Sequence, residues 1–430
     1  MAPEEKQVRS EAVASAARPG RPTPALRWAR IAVGVTFLVH ALIFATWAPR
    51  IPALKQNLHL DHDDLGIALG GLAVGLLLGT RLTGPMERRG RTGLAMRILV
   101  PAQAAALILP AYAFDLVSLT IALAILGIFG GMLDVVMNAH AVAVERLYGR
   151  PIMSGFHGLW SVGSMASSAI AGLVARAGVD VRLHFIVAAL VCAAASAPFL
   201  ARLLPPAQES AVTGHDVASP QSARPAASWF VAGLLGLVGF GSFLAEGAIA
   251  DWSAVFLNEE LGAPEGVAAL GLSVFSGAMA ASRLIADRVG ARFGPVVVAR
   301  AGAAISAVGY AVFLLAPSPG LALVGFTLGG FGLGPAVPVV FSAAGNTRTR
   351  RRASILGPVV SAGYVGAVVG PIAIGLVAQQ VGLTGALVIP LGFLVTLILA
   401  AGLLRGAAGG TAVDDPDVAI HAHGPATTDG

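Results

Sequence analysis

Charge is what this chain lacks most. Only 12% of its 430 residues are Asp, Glu, Lys or Arg, where a soluble domain carries roughly 25%. Lysine is almost missing, occurring only as Lys6 and Lys55. The single cysteine, Cys192, sits in an apolar run, so no intramolecular disulfide can form. No nucleophile–base pair, no His/Cys cluster at metal-ligand spacing and no glycine-rich phosphate loop after a strand is present. These absences argue against an enzyme and predict no cofactor and no metal. His421 and His423, with Asp414, Asp415 and Asp417, read as a polar tail and not as a metal site.

What is abundant is apolar surface. Hydrophobic residues make up 56% of the chain and its mean hydropathy is +0.78, which points to lipid as the main solvent. The first apolar run is too long for a signal-peptide core and lacks a small-residue cleavage site, so it reads as an uncleaved membrane helix. Runs of about 20 apolar residues fall near 28–48, 65–83, 93–113, 118–143, 152–175 and 183–204, then near 229–257, 266–285, 295–316, 321–345, 353–378 and 385–404. The expectation is an all-α membrane protein of 12 transmembrane helices in two six-helix bundles, 28–204 and 229–404. A flexible polar linker joins them at 205–228, with tails at 1–27 and 405–430.

The net charge of +5 raises the question of nucleic acid, which the placement of the arginines answers. With the N-terminus inside, the inner loops receive Arg88, Arg89, Arg91, Arg146, Arg150, Arg288, Arg292 and the group Arg348, Arg350, Arg351 and Arg352. The outer loops hold Arg50, Lys55, Arg176 and Arg182, with Glu259, Glu260 and Glu265 on one of them. That bias puts both termini in the cytoplasm. The basic residues form no single face, so no nucleic-acid partner is expected. Arginine in place of lysine, with much Ala, Gly and Val, fits a bacterial chain, and hence the bacterial inner (plasma) membrane.

The halves resemble each other. Glu87-Arg88-Arg89-Gly90-Arg91 follows the second span and Asp287-Arg288-Val289-Gly290 the eighth. Leu126-Gly127-Ile128-Phe129-Gly130 in the fourth span matches Leu328-Gly329-Gly330-Phe331-Gly332 in the tenth. Val162-Gly163 with Gly172-Leu173-Val174 matches Val365-Gly366 with Gly375-Leu376-Val377. The first and seventh spans end on Trp47 and Trp252. Four matches in one order, at nearly one offset, read as a duplication. Such repeats suit rocking of two bundles about a site at their interface, and the 54 glycines suit close helix approach in lipid.

From these residues the chain resembles the major facilitator superfamily over roughly 28–405. That superfamily carries G-x-x-x-D-R-x-G-R-[RK] between spans two and three. Here Glu87, Arg88, Gly90 and Arg91 match its core, while Thr83 stands at the opening glycine and Thr92 at the last basic position. The second copy keeps Asp287, Arg288 and Gly290, with Ala291 in place of Arg and Arg283 at the opening glycine. The resemblance implies two cytoplasmic gating loops. The alternative is a solvated basic loop. Phe156-His157-Gly158-Leu159-Trp160-Ser161 and Ala250-Asp251-Trp252-Ser253-Ala254 are similar to a bacterial branch distantly related to fucose-permease-like sugar transporters. Drug-antiporter branches carry G-x-x-x-G-P-x-x-G-G in the fifth span. Here only Gly366, Gly370 and Pro371 with Gly375 approach it, and they lie in the eleventh.

Candidate site residues follow from cost. An ionisable group at mid-membrane costs roughly 2.5–3.5 kcal/mol on insertion scales, so few persist without a reason. Glu246 lies deep in the seventh span. It reads as a proton-exchanging or substrate-contacting carboxyl, or as one hydrogen-bonded to a neighbouring helix. Asp134 and Asn138 share a face of the fourth span. They suit a polyol or a proton, or fasten two helices. His40 and His157 are titratable candidates, and Trp160 and Tyr364 could stack on a sugar ring. Arg50, Asp251, Trp47 and Trp252 lie at the outer ends of the first and seventh spans. They are candidates for an outer gate or for simple snorkelling. The expected activity is a secondary transporter of a small polar solute, sugar-like and proton-coupled, working as a monomer in the bilayer. The alternatives are proton-driven efflux of hydrophobic compounds and, in another class, a membrane sensor or enzyme.

Overall fold

The computed structural model of the chain describes residues 22–149, 152–213, 227–335 and 352–409. Twelve helices organise them. In the first half these are α1 (Pro24–Thr46), α2 (His62–Leu82), α3 (Thr92–Ile108), α4 (Leu116–Tyr148), α5 (Met153–Arg176) and α6 (Val181–Leu200). In the second they are α7 (Ala227–Val255), α8 (Leu270–Phe293), α9 (Pro295–Leu314), α10 (Pro319–Leu333), α11 (Arg352–Ala386) and α12 (Val388–Gly409). Ten stretches among the described residues are long and apolar enough to cross a membrane, and the apolar stretches Pro319–Leu333 of α10 and Val388–Leu399 of α12 complete the set. Residues 1–21, 150–151 with Arg150, 214–226, 336–351 and 410–430 lie outside the described residues. With them go most of the expected linker, both tails with His421 and His423, and nearly all of the four-arginine connection.

Local chemistry sets the helix ends. Pro24 begins α1 behind Thr23, whose hydroxyl accepts from the Leu26 amide at 3.3 Å. Asp61 with Asp64, and Asp115 with Ser118, close reciprocal capping boxes on α2 and α4. Gly149 ends α4 at φ +66°, a left-handed cap that glycine tolerates.

The halves pack by one plan, with backbones in near contact. A Cβ at Gly127 of α4 would stand 2.2 Å from the Leu72 carbonyl of α2, and one at Gly330 of α10 would stand 2.1 Å from the Phe275 carbonyl of α8. The step from Leu72 to Phe275 equals that from Gly127 to Gly330, so the packing pairs Gly127 with Gly330, one residue along from the sequence match. Gly163 of α5 meets Leu38 of α1 as Gly366 of α11 meets Phe240 of α7. Lipid supplies no hydrophobic drive between helices, so contacts this close hold each bundle together.

Two expectations need correction. The signature copies are not equivalent in shape. In the first half the chain leaves α2 through a short helix, Gly84–Arg88, and turns at Gly90, φ +57°. In the second, Asp287, Arg288 and Gly290 lie within α8, which runs on to Phe293, and the left-handed residue is Gly294, φ +82°. A later glycine followed by Pro295 lets the helix continue past the motif before it turns. The linker is also not free over its first part. Pro206–Thr213 is helical, and Glu209 is buried at 1% exposure against the start of α3.

Candidate functional site

The halves meet along α2 with α11 and α5 with α8. A Cβ at Gly66 of α2 would come within 2.9 Å of the Gly375 Cα on α11. Between α5 and α8, Ser164 and Ser276 share a hydrogen bond of 3.1 Å, and Ser168 donates to the Ala269 carbonyl at 2.6 Å. At the end carrying Trp47 and Trp252 the seal is ionic. Lys55 donates to both carboxylate oxygens of Glu259 at 2.6 and 2.8 Å, and His62 Nε2 lies 3.0 Å from the same group. Gln56 donates to Asn258 at 3.2 Å. This end of the protein is shut.

Between the halves, against that seal, lies a cavity of about 70 Å³, room for a few waters. Trp47, Trp160 and Ser161 line it from the first half, and Glu246, Asp251 and Phe275 from the second. Among the described residues neither carboxyl has a hydrogen-bonding or ion-pair partner.

A polar cluster of the first half adjoins the cavity. His40 Nδ1 lies 3.0 Å from Gln103 Oε1 of α3, and both residues are buried. Asn138 donates to the Asp134 carbonyl at 2.8 Å and to its carboxylate at 3.2 Å. Asp134 acts electrostatically on both His40 and His157. The cluster reaches the cavity through Phe44, whose ring lies 5.9 Å from that of His40, and through Ser161, which donates to the His157 carbonyl. Among the described residues the buried Gln103 amide nitrogen has no partner, a donor available to a ligand or water. Arg283 of α8 reaches across to Ser161 Oγ at 3.2 Å.

The remaining candidates fall into three groups. Trp252 is fully buried, and its ring stacks on that of His62 across the halves, with centroids 6.3 Å apart. Arg50 is buried and donates to the Val179 carbonyl at 2.8 Å, while its Nε and Nη1 find no partner among the described residues. It lies in the field of Glu265 and Asp180 and is not paired with Asp251. Glu87 accepts from the Thr83 hydroxyl at 2.7 Å, which ties the first signature acid into its own turn, and Arg91 is exposed. The side chains of Arg88, Asp287, Arg288 and Tyr364 lie outside the described residues, although the backbone of each is helical.

Sequence reasoning passed over Lys55, His62 and Arg283 as parts of the site, and marked Gln103 only as an inward-facing position. One signal was available. A rare lysine in one outer loop and a run of acids in another are complementary.

Comparison with known proteins fits this geometry. The sequence model of the Major Facilitator Superfamily matches residues 235–420. An uncharacterized MFS-type transporter of Yersinia pestis is 34% identical over 357 residues, covering 81% of this chain and 89% of that protein. The chain belongs to the major facilitator superfamily. An uncharacterized transporter of Sinorhizobium fredii is likewise 34% identical, over 82% of this chain and 91% of its own length. Among solved structures, the nucleoside transporter NupG superposes with a TM-score of 0.68 at 14% identity, over 90% of this chain and 100% of that one. At that identity the likeness concerns the fold alone. The protein is thus a multi-pass membrane transporter of this superfamily, and its all-α architecture is the superfamily's own.

Proposed function

We propose that the protein is a proton-coupled carrier of a small polar solute, sugar-like in its hydroxyl pattern, working by alternating access as a monomer in the bacterial plasma membrane. One observation carries this reading. Two carboxyls without partners among the described residues, Glu246 and Asp251, face a cavity between the halves beside Trp47 and Trp160, with the His40–Gln103 and Asp134–Asn138 pairs adjoining it. A carboxyl inside a membrane that no side chain answers is suited to take up and release a proton. An indole beside hydrogen-bonding groups suits a ring with hydroxyls.

The arginine distribution supports an orientation with the Trp47 end outside and both termini inside. The shut end is then the outer gate, closed by Lys55, Glu259 and His62. The Ser168–Ala269 and Ser164–Ser276 contacts, nearer the shut end than the Arg283–Ser161 bond, would part when the bundles rock the other way. The domain limits 28–204 and 229–404 belong to the same reading.

The test is transport by proteoliposomes with an imposed pH gradient, using radiolabelled sugars and, given the nucleoside transporter among the similar folds, nucleosides. Solute accumulation that collapses when the gradient is dissipated supports the proposal. Accumulation indifferent to the gradient refutes the coupling. The apolar part of the lining, Phe44, Leu272, Phe275 and Met279, favours one second reading, efflux of hydrophobic compounds. Extrusion of a lipophilic dye driven by the same gradient, with no sugar or nucleoside movement, would select it.

A further inference from the structure

A second, larger cavity of about 480 Å³ lies away from the interface, at the α1 N-terminal end between α1 and α5. Its rim holds Arg27, Arg30 and Tyr148, and its floor holds Ile31, Val35 and Leu159. Arg30 donates to the Tyr148 hydroxyl at 3.4 Å, with its guanidinium 5.2 Å from the centre of the Tyr148 ring. Among the described residues no carboxylate pairs with either arginine. Glu145, one turn before Tyr148, is turned to accept from the Ile152 and Met153 amides at the start of α5.

The direction in which this groove opens follows from the helical period. On α5 the residues that meet the other half are Ser161, Ser164 and Ser168. Leu159 is on the opposite face, in line with Val162, Ile170 and Leu173, all of them large, apolar and exposed. On α1, Ile31 is exposed at 45%, and Val35 and Leu38 continue the strip. The groove therefore opens towards lipid and not towards the transport cavity. Its polar rim lies at the level of an interfacial aromatic, Trp28, which carries the Arg202 guanidinium 5.3 Å from its ring centre.

We propose that this groove binds an anionic phospholipid, the phosphate held by Arg27 and Arg30 and an acyl chain laid along Ile31, Val35 and Leu159. Charge complementarity selects the headgroup, because among the described residues the rim offers two guanidiniums and no acid. The apolar floor selects an acyl chain over a soluble anion. Basic pockets between membrane helices take anionic headgroups for this reason. The proposal concerns a different surface from the transport site, so neither stands or falls with the other.

The experiment titrates full-length protein in mild detergent with phosphatidylglycerol, phosphatidylcholine or glycerol phosphate. Bound lipid is read by native mass spectrometry and stability by melting temperature. Phosphatidylglycerol should be retained and should raise the melting temperature, and the other two should do neither. Arg27→Ala and Arg30→Ala should each weaken retention about 5-fold, and together about 30-fold. Leu159→Trp, which fills the groove and keeps both arginines, should also lower retention, and it carries the test should the double variant fail to fold. Equal retention of phosphatidylglycerol by wild type and the folded variants overturns the site. So does phosphatidylcholine binding as well as phosphatidylglycerol. Equal stabilisation by glycerol phosphate overturns the lipid as occupant.

Discussion

In the first half His40 meets Gln103 and Asp134 meets Asn138, whereas in the second Glu246 and Asp251 face the cavity with no protein partner among the described residues. The duplication therefore preserved the packing of the halves and let their polar chemistry diverge. Side chains that satisfy each other hold a shape. Carboxyls that face a cavity unanswered respond to what enters it. The expected division of labour is solute recognition by the first half and proton exchange by the second.

The sharpest way to break this comparison is Glu246→Gln. Gradient-driven accumulation should vanish, with internal and external solute equalising, while exchange of labelled for unlabelled solute persists. If accumulation survives, the asymmetry has no part in coupling. Asp134→Asn addresses the other half. Hydrogen bonds to a charged group contribute about 1.5–3 kcal/mol, so KM for the solute should rise roughly 10- to 100-fold with the proton dependence retained.

Packing gives the next effect. A Cβ at Gly75 of α2 would lie 2.1 Å from the Ala124 carbonyl, so Gly75→Ala should destabilise the first bundle by about 1–3 kcal/mol, read by denaturation in detergent. Glu259→Gln should be milder. It weakens a partly exposed pair worth about 1 kcal/mol, so a thiol introduced by Ala268→Cys at the shut end should label about 5-fold faster. Cys192 is buried at 7% exposure and should leave that background low.

The smallest effect concerns Glu209. Burial opposes its charge, but hydrogen bonds with the His140 ring and from Thr92 outweigh this and hold its carboxyl below the usual carboxylate range. Its contribution is thus present above the ordinary glutamate pKa and lost as pH falls through the lowered one. Glu209→Ala should cost about 1 kcal/mol near neutral pH, and the gap to wild type should close in acid.

The spans and the duplication were legible because lipid imposes long apolar runs and close helix contacts demand glycine, and both leave marks in the letters. Gly163 and Gly366 could be paired from sequence for that reason. The site was legible only in part. Glu246, Asp134 and Trp160 stand out as costly or bulky groups in apolar runs. Gln103 does not, because a neutral amide in α3 takes its meaning from His40, 63 residues away. Lys55 and Glu259 are 204 residues apart, and no local pattern joins them. The second signature misled for a different reason. Closely similar letters sit in a short helix that turns at Gly90 in one half and within a long helix that turns only at Gly294 in the other.

The carboxylate of Glu209 accepts from the Thr92 amide at 3.0 Å and the Gly93 amide at 3.4 Å, while Leu204 donates to His140 Nε2 at 3.2 Å. The first turn of α3 is thus finished by a residue that leaves the ribosome 117 positions later. The opening bundle cannot complete the α3 N-terminal end during synthesis until the chain has passed its sixth helix and begun the stretch beyond. Until then those two amides must rely on water or on an insertion factor.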